Sequence, residues 1–149
     1  MSRERQDLLS RSALGVFRLN GQFLAVAEEL ARPAGMTAAW WQVLGAVLAE
    51  PLPVSGVARA MGITRQSVQR IADLLVDKEL ARYLPNPAHR RAKLLACTEA
   101  GYWAIRQIAL AQRPWADRVG GEVGADDLAH ALATMQRLVA LLETAADDA

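Results

Sequence analysis

Apolar positions recur at helical spacings along most of the chain. Over residues 6–31 they return about every seven positions, which is typical of one long amphipathic helix. The stripe consists of Leu9, Phe17, Leu24 and Ala31, widened by Ala13, Leu14, Phe23, Ala27 and Leu30. Pro33 and Gly35 follow directly and predict the end of this helix.

A second helix is predicted over residues 38–50, with Thr37 as its N-cap. This segment is apolar on nearly all sides, so we expect it to be buried. It should stop before Pro51 and Pro53, because proline disrupts a helix interior. Ser55 is the predicted N-cap of the helix that comes next.

Residues 57–71 have the pattern of two short helices joined by a sharp turn. Gly62 stands where the first helix must end in a left-handed cap, and Thr64 is placed to cap the second. The second helix should begin at about Arg65 and end near Glu79. Within residues 57–71, the positions of the second helix that face outward can each donate a hydrogen bond and none is acidic: Arg65, Gln66, Ser67, Gln69 and Arg70. This pattern predicts a helix-turn-helix whose recognition helix can enter a DNA major groove.

The next stretch favours a β-hairpin. Residues 80–84 and 93–97 suit short strands, and two prolines and an asparagine lie between them. The loop at residues 86–91 carries His89, Arg90 and Arg91 without a nearby acid. A basic hairpin after a helix-turn-helix predicts a wing.

Two further helices are predicted after the hairpin. Thr98 should open one that reaches about Val119 and is bent or broken at Pro114. A flexible break is expected at three glycines: Gly120, Gly121 and Gly124. Asp126 or Asp127 would cap the last helix.

The predicted fold is mainly α with a small β-hairpin wing. Residues 37–97 form a winged helix-turn-helix, and residues 1–36 and 98–149 form a helical region intertwined with it. The outer helices have more apolar surface than one winged helix can cover, so we expect a two-fold homodimer. Its predicted dimerisation residues are Leu9, Phe17, Leu128, Leu132, Met135, Val139 and Leu142.

Positive charge is concentrated on the helix-turn-helix and the hairpin. The whole chain has a net charge of +1. Residues 59–98 carry eight basic and three acidic side chains, whereas residues 1–58 are neutral and residues 99–149 have a net charge of −4. A basic segment in a balanced chain is expected of a surface that binds phosphates. A merely solvated charged surface is the alternative.

Length and motifs argue against several other classes. The 149 residues suit one domain, and no apolar run reaches the roughly 18 residues of a membrane span. The charged start lacks a signal-peptide pattern, and Cys97 is the single cysteine, so we expect a cytoplasmic protein without a disulfide. The sequence has no GxSxG, P-loop, HExxH or Cys/His cluster. We therefore expect no enzyme activity, cofactor or metal.

The chain resembles the multiple antibiotic resistance regulator (MarR) family over most of its length. That family's wing signature is Asp-x-Arg, three residues, Leu, two residues, Thr, two residues, Gly. Arg91, Leu95, Thr98 and Gly101 fall on it in order, whereas His89 occupies the position of the acid. In the family this Asp steadies the wing by pairing with an arginine.

The resemblance implies a dimeric DNA-binding transcription regulator, a repressor acting on a near-palindromic operator. The recognition helix would occupy the major groove, and Arg91 would enter the flanking minor groove. The expected DNA-binding residues are Ser55, Thr64, Arg65, Gln66, Ser67, Gln69, Arg70, His89, Arg90 and Arg91. Gln66 and Gln69 are each able to pair with adenine.

The resemblance also implies release by a small aromatic or phenolic anion. Its candidate ligand-binding residues are Arg18, Met36, Trp40 and Trp41, which could combine charge with stacking. Two alternatives stay open. The winged helix could dock a protein without binding an operator, or Cys97 could make the regulator redox-responsive if nearby cations lower its pKa.

Overall fold

The structure is a computed structural model and describes residues 2–148. The chain order is α1 (Ser2–Ala31), α2 (Ala38–Ala46), β1 (Leu52–Pro53), α3 (Val54–Met61), α4 (Arg65–Asp77), β2 (Ala81–Leu84), β3 (Leu94–Cys97), α5 (Glu99–Val123) and α6 (Ala125–Asp147). The prediction of a mainly helical chain with a small β-hairpin wing is confirmed. The chain forms two compact units, with the division after Leu110.

Helix α1 ends where the sequence predicts, and its last turns hold the start of α2. A 3-10 turn over Arg32–Ala34 and a left-handed Gly35 follow α1. The Trp40 amide donates to Thr37 Oγ1 at 3.1 Å, which confirms the predicted cap. The Ala38 amide donates to Glu28 Oε2 of α1 at 2.9 Å. Two side chains thus satisfy two of the unpaired N–H groups at the start of α2.

The second helix is shorter than predicted. It ends at Ala46 rather than residue 50, and the Val47 and Leu48 amides turn back onto Leu44 and Gly45. This early end lets the chain reach β1, whose Leu52 and Pro53 pair with Leu95 and Leu94 of β3. The sequence did not predict β1.

The helix-turn-helix forms as predicted, except for its first cap. Gly62 ends α3 with φ 65°, and the Ser67 amide donates to Thr64 Oγ1 at 3.1 Å at the start of α4. The prediction that Ser55 caps α3 is wrong. The pairing of β1 with β3 fixes Pro53 in an extended conformation, so the helix begins at Val54 and Ser55 lies within its first turn. Helix α4 ends at Asp77, two residues earlier than predicted.

Strand β3 is central in a three-stranded antiparallel sheet of order β1-β3-β2. Ala81 pairs with Cys97, and Leu84 pairs with Leu94, so the predicted hairpin is confirmed. Val57, Val68, Leu75 and Leu95 are fully buried beneath the helix-turn-helix together with Leu44 of α2. This shared core packs α2, α3, α4 and β3 against one another.

The start of α5 is hydrogen-bonded to the residues that directly follow α4. Thr98 Oγ1 donates to the Glu79 carbonyl at 2.7 Å and accepts from the Gly101 amide at 3.1 Å. The Thr98 amide donates to the Leu80 carbonyl at 3.2 Å. Gly101 passes so close to Leu80 that an added Cβ would lie 2.1 Å from that carbonyl oxygen. The Thr and Gly of the wing signature therefore form one packed junction.

The predicted break before the last helix is wrong in position. Helix α5 continues past Pro114 and through Gly120 and Gly121 to Val123, and Gly124 alone separates it from α6. Gly124 is also the N-cap, so neither aspartate caps α6. Both aspartates lie instead in its first turn, where their negative charge interacts favourably with the positive end of the helix dipole.

The predicted dimerisation residues are all exposed in the single chain. On α1, Leu9 and Phe17 are 57% and 72% exposed. On α6 the exposed residues are Leu128, Leu132, Met135, Val139 and Leu142. Among residues 2–148, no helix combines the length and hydropathy needed to cross a membrane.

Candidate nucleic-acid interface

Helix α4 buries one face and presents the other. Val68, Ile71, Ala72 and Leu75 are buried in the core. The side chains exposed on the opposite side include Arg65, Gln66, Gln69 and Arg70. The helical repeat thus places the apolar residues on one side of α4 and the predicted DNA-contacting residues on the other.

The start of the recognition helix is stabilised by two hydroxyl groups. Thr64 Oγ1 accepts from the Ser67 amide and donates to Ser67 Oγ at 3.0 Å. The hydroxyl hydrogen of Ser67 is then available to a phosphate oxygen. Thr64 therefore serves mainly as the N-cap of α4, and Ser67 is the better placed of the two to donate a hydrogen bond to a phosphate.

The wing loop is closed by Asn86 and His89. Asn86 Nδ2 donates to the Ala92 carbonyl at 2.9 Å, and Asn86 Oδ1 accepts from the Ala88 amide at 3.0 Å. His89 Nδ1 accepts from the Ala92 amide at 3.2 Å. The imidazole thus satisfies a backbone donor, as a carboxylate could, and the loop closes without an acid. A neutral ring that accepts through Nδ1 carries its proton on Nε2.

Helix α4, the wing and the chain at Pro53–Ser55 together line an open cavity of about 770 Å³, here called the concave surface. Six of the predicted DNA-contacting residues meet there: Ser55, Arg65, Gln66, Gln69, His89 and Arg91. Lys93 of the wing extends the basic lining. The remaining four predicted residues, Thr64, Ser67, Arg70 and Arg90, do not line it, and Arg90 faces a second concavity on the wing with Lys93.

The cations of this surface are not neutralised by neighbouring acids. Within the part of the chain that the structure describes, the one ion pair joins Arg11 and Asp7 on α1. Arg65, Arg91 and Lys93 therefore have no carboxylate within 4.0 Å in residues 2–148. Such side chains can exchange their counterions for nucleic-acid phosphates.

Sequence reasoning missed Tyr83 and Lys93, which line this surface, and Asp73, which is hydrogen-bonded to two of its lining residues. Gln69 Nε2 donates to Asp73 Oδ1 and to the Tyr83 hydroxyl, both at 3.0 Å. Tyr83 in turn donates to Asp73 Oδ1. The pKa of Tyr83 is raised to about 12, mainly by burial of its hydroxyl and secondly by this hydrogen bond. The spacing of Gln69 and Asp73, four residues apart on one helix face, was the available signal.

The candidate ligand-binding residues lie in different environments. Met36 is buried in the core, and Trp40 and Trp41 are half-buried against it. Arg18 is exposed near the middle of α1. The two tryptophans thus combine core packing with a partly accessible ring surface.

Cys97 lies half-buried on β3, and its Sγ donates to the Thr98 carbonyl at 3.3 Å. Burial raises the pKa of its thiol. A higher pKa reduces the thiolate fraction on which oxidation depends, so this environment gives the redox alternative no support. No group of three or more potential metal ligands is found in residues 2–148.

Comparison with known proteins points to one family. A model of the MarR family matches residues 34–92. An uncharacterized protein of Mycobacterium tuberculosis is 40% identical over 102 residues, which cover 68% of this chain and 71% of that protein. CouR from Rhodococcus jostii RHA1, solved bound to p-coumaroyl-CoA, has a TM-score of 0.73 at 23% identity over 83% of this chain and 88% of its own. The M. tuberculosis regulator MOSR, solved in complex with DNA, has a TM-score of 0.72 at 20% identity over 89% of this chain and 96% of its own.

Proposed function

This chain belongs to the MarR family of winged-helix transcription regulators, and we propose that it is a dimeric, sequence-specific DNA-binding repressor. The observation that carries the proposal is the concave surface on which α4 and the wing place Arg65, Gln66, His89 and Arg91 together. A similar fold has been solved in complex with DNA, which supports the same use here. A cytoplasmic location remains a prediction from the sequence.

In the proposed complex, α4 lies in the major groove and the wing loop reaches the adjacent minor groove. Arg65 and Arg70 would contact guanine or phosphate, and Gln66 would contact adenine. Ser55 and Ser67 would hold the helix on phosphates. Arg91 would enter the minor groove, where an arginine responds to groove width and negative potential.

The exposed apolar residues of α1 and α6 support a two-fold dimer. A monomer would leave Phe17 and Leu142 at 72% and 69% exposure, and pairing with a second copy is the economical way to bury them. A two-fold dimer would place two recognition helices about one DNA turn apart, roughly 34 Å, on a near-palindromic operator. Sedimentation equilibrium measures this directly, and Leu132→Arg should shift the protein toward monomer.

A mobility-shift assay tests the proposed complex. The probe is an operator-sized duplex from upstream of the protein's own gene, titrated at several salt concentrations. Arg91→Ala should weaken binding to every duplex and reduce the slope of log affinity against log salt by about 1. Arg11→Ala is the matched control, because this arginine pairs with Asp7 on α1, and it should bind like wild type.

Two results would contradict the proposal. Wild-type binding and salt slope in Arg91→Ala would remove the wing from the interface. Failure of the wild-type protein to shift any duplex would favour the alternative, a winged helix that docks a protein.

We propose further that a small aromatic anion releases the repressor. The half-buried rings of Trp40 and Trp41, packed against the core cluster that contains Met36, offer stacking surface, and Arg18 is the candidate cation. A protein of similar fold has been solved bound to p-coumaroyl-CoA, which contains an aromatic acyl group. Titration with salicylate and related acids should quench tryptophan fluorescence and release the duplex. Absence of both effects across a panel would contradict this step.

A further inference from the structure

Three side chains join the recognition helix to the wing: Gln69, Asp73 and Tyr83, here called the helix–wing clamp. Gln69 and Asp73 lie one turn apart on α4, and Tyr83 lies on β2. The hydrogen bonds form a closed ring, with Gln69 donating to both partners and Tyr83 donating to Asp73. The clamp therefore holds the Gln69 side chain on the surface proposed to face DNA.

The chemistry of the ring fixes which way the Gln69 amide points. An ionised carboxylate can only accept, so Asp73 Oδ1 must face donors. The single hydroxyl hydrogen of Tyr83 goes to Asp73, so its oxygen is left to accept from Gln69. If the amide were turned over, Gln69 Oε1 would stand against the carboxylate oxygen, which is repulsive. The amide nitrogen of Gln69 therefore faces the clamp, where both of its acceptors lie on one side of it.

The remaining polar atom of this side chain is its carbonyl oxygen. No hydrogen bond within residues 2–148 engages Gln69 Oε1, and the side chain is exposed in the concave surface. The bidentate pairing of glutamine with adenine needs one donor and one acceptor on the same amide. With its nitrogen held toward Asp73 and Tyr83, Gln69 presents its carbonyl oxygen, an acceptor, to a base.

We propose that Gln69 determines specificity as a hydrogen-bond acceptor, selecting a base with an exocyclic amine in the major groove. Adenine N6 and cytosine N4 both donate there, whereas guanine O6 and thymine O4 only accept. The operator position that Gln69 reads should therefore accept adenine or cytosine and reject guanine and thymine. This inference rests on the proposed function and refines it.

Gln66 provides an internal comparison on the same helix. Within residues 2–148, no hydrogen bond engages its side-chain amide, and it lines the same concave surface. It can therefore present donor and acceptor together and select adenine alone. The two glutamines are three residues apart and are expected to read two different operator positions. The position read by Gln69 should accept adenine or cytosine, and the position read by Gln66 should accept adenine alone.

Selection from a randomised duplex library, followed by sequencing of the bound fraction, tests this difference. The wild-type protein, Gln69→Ala, Gln66→Ala and Tyr83→Phe are compared under the same salt. The position that loses its preference in Gln69→Ala identifies the base read by Gln69. There, the wild-type protein should enrich adenine and cytosine about equally over guanine and thymine.

Tyr83→Phe is the decisive variant. It removes the hydroxyl that accepts from Gln69, so one amide hydrogen becomes available to adenine N7 while the carbonyl oxygen accepts from N6. Preference at the Gln69 position should narrow to adenine over cytosine by about five-fold or more, the lower end of a bidentate contact. The position read by Gln66 should not change.

The outcomes separate this inference from the proposed function. Failure of the wild-type protein to enrich any sequence would refute operator binding itself. Two results would overturn the inference that Gln69 acts as an acceptor while leaving operator binding intact. One is a motif in which the Gln69 position takes adenine alone, and the other is an unchanged base preference in Gln69→Ala or Tyr83→Phe. Thermal unfolding midpoints near that of the wild type establish that each variant is folded.

Discussion

Replacing Gly101 with alanine should destabilise the junction between α4 and α5. An ideal Cβ at this position lies 2.1 Å from the Leu80 carbonyl oxygen and 2.9 Å from Cys97 Sγ. Carbon and carbonyl oxygen ordinarily stay about 3.3 Å or more apart. The Leu80 oxygen accepts from the Thr98 amide at 3.2 Å, so it cannot retreat without straining that bond.

Three contributions set the size of the effect. Forcing a methyl group into packed backbone costs about 3 kcal/mol, the upper end for overpacking. Loss of the hydrogen bond between the Thr98 amide and the Leu80 carbonyl costs about 1 kcal/mol more. The better helix propensity of alanine offsets about 1 kcal/mol. We therefore expect Gly101→Ala to lower the free energy of unfolding by about 3 kcal/mol.

Urea unfolding followed by tryptophan fluorescence measures this change. Gly121→Ala is the matched control, because it lies on the same helix and nothing is within 4 Å of its added Cβ. It should keep or raise the stability, by at most about 1 kcal/mol. Adding Cys97→Ala to Gly101→Ala removes the sulfur but not the carbonyl, so the double variant should remain destabilised. An unfolding midpoint equal to wild type in Gly101→Ala would refute the reasoning.

Three further predictions follow from local geometry. Glu79 has φ 60°, so Glu79→Gly should raise the free energy of unfolding by up to about 1 kcal/mol in urea melts, whereas Glu79→Ala keeps the strain and should not. His89→Ala loses the acceptor for the Ala92 amide and should weaken operator binding about five-fold in fluorescence anisotropy, whereas His89→Asn, which can still accept, should bind more like wild type. The pKa of Tyr83 is raised from 10.0 to about 12, so the folded protein holds a proton that the unfolded chain loses in this range. Stability should therefore fall as pH rises from 10 to about 12, and Tyr83→Phe should lessen that fall in urea melts at stepped pH.

Local signals explain which parts of the fold could be predicted from the sequence. Gly62 and Thr64 mark the turn of the helix-turn-helix because a left-handed residue and an N-cap hydroxyl depend only on nearby backbone. The wing loop is similar, since prolines and Asn86 favour a turn in any context. Charge could be counted along the chain, and it correctly indicated the segment that carries the concave surface.

Features that depend on a distant partner could not be predicted. Strand β1 has two residues and exists because β3 pairs with it, and this pairing also displaced the predicted cap at Ser55. The clamp needs β2 to bring Tyr83 to Gln69, fourteen residues away in sequence. Gly120 and Gly121 reduce helix propensity by about 1 kcal/mol each, yet α5 continues through them, so propensity alone misplaced its end.

Two hydrogen-bonded junctions connect the flanking helices to the surface that would read DNA. At the first, Glu28 of α1 accepts from the Ala38 amide that begins α2. At the second, Thr98 ties the start of α5 to the Glu79 carbonyl just after α4. A displacement of α1 or α5 must either break these bonds or move α2 and α4 with it. A ligand that binds one arrangement more tightly than another would thereby change operator affinity, by no more than its difference in affinity for the two. The proposed release by an aromatic anion therefore requires only a ligand that distinguishes two positions of α1 or α5, which are hydrogen-bonded to α2 and to the residues that follow α4.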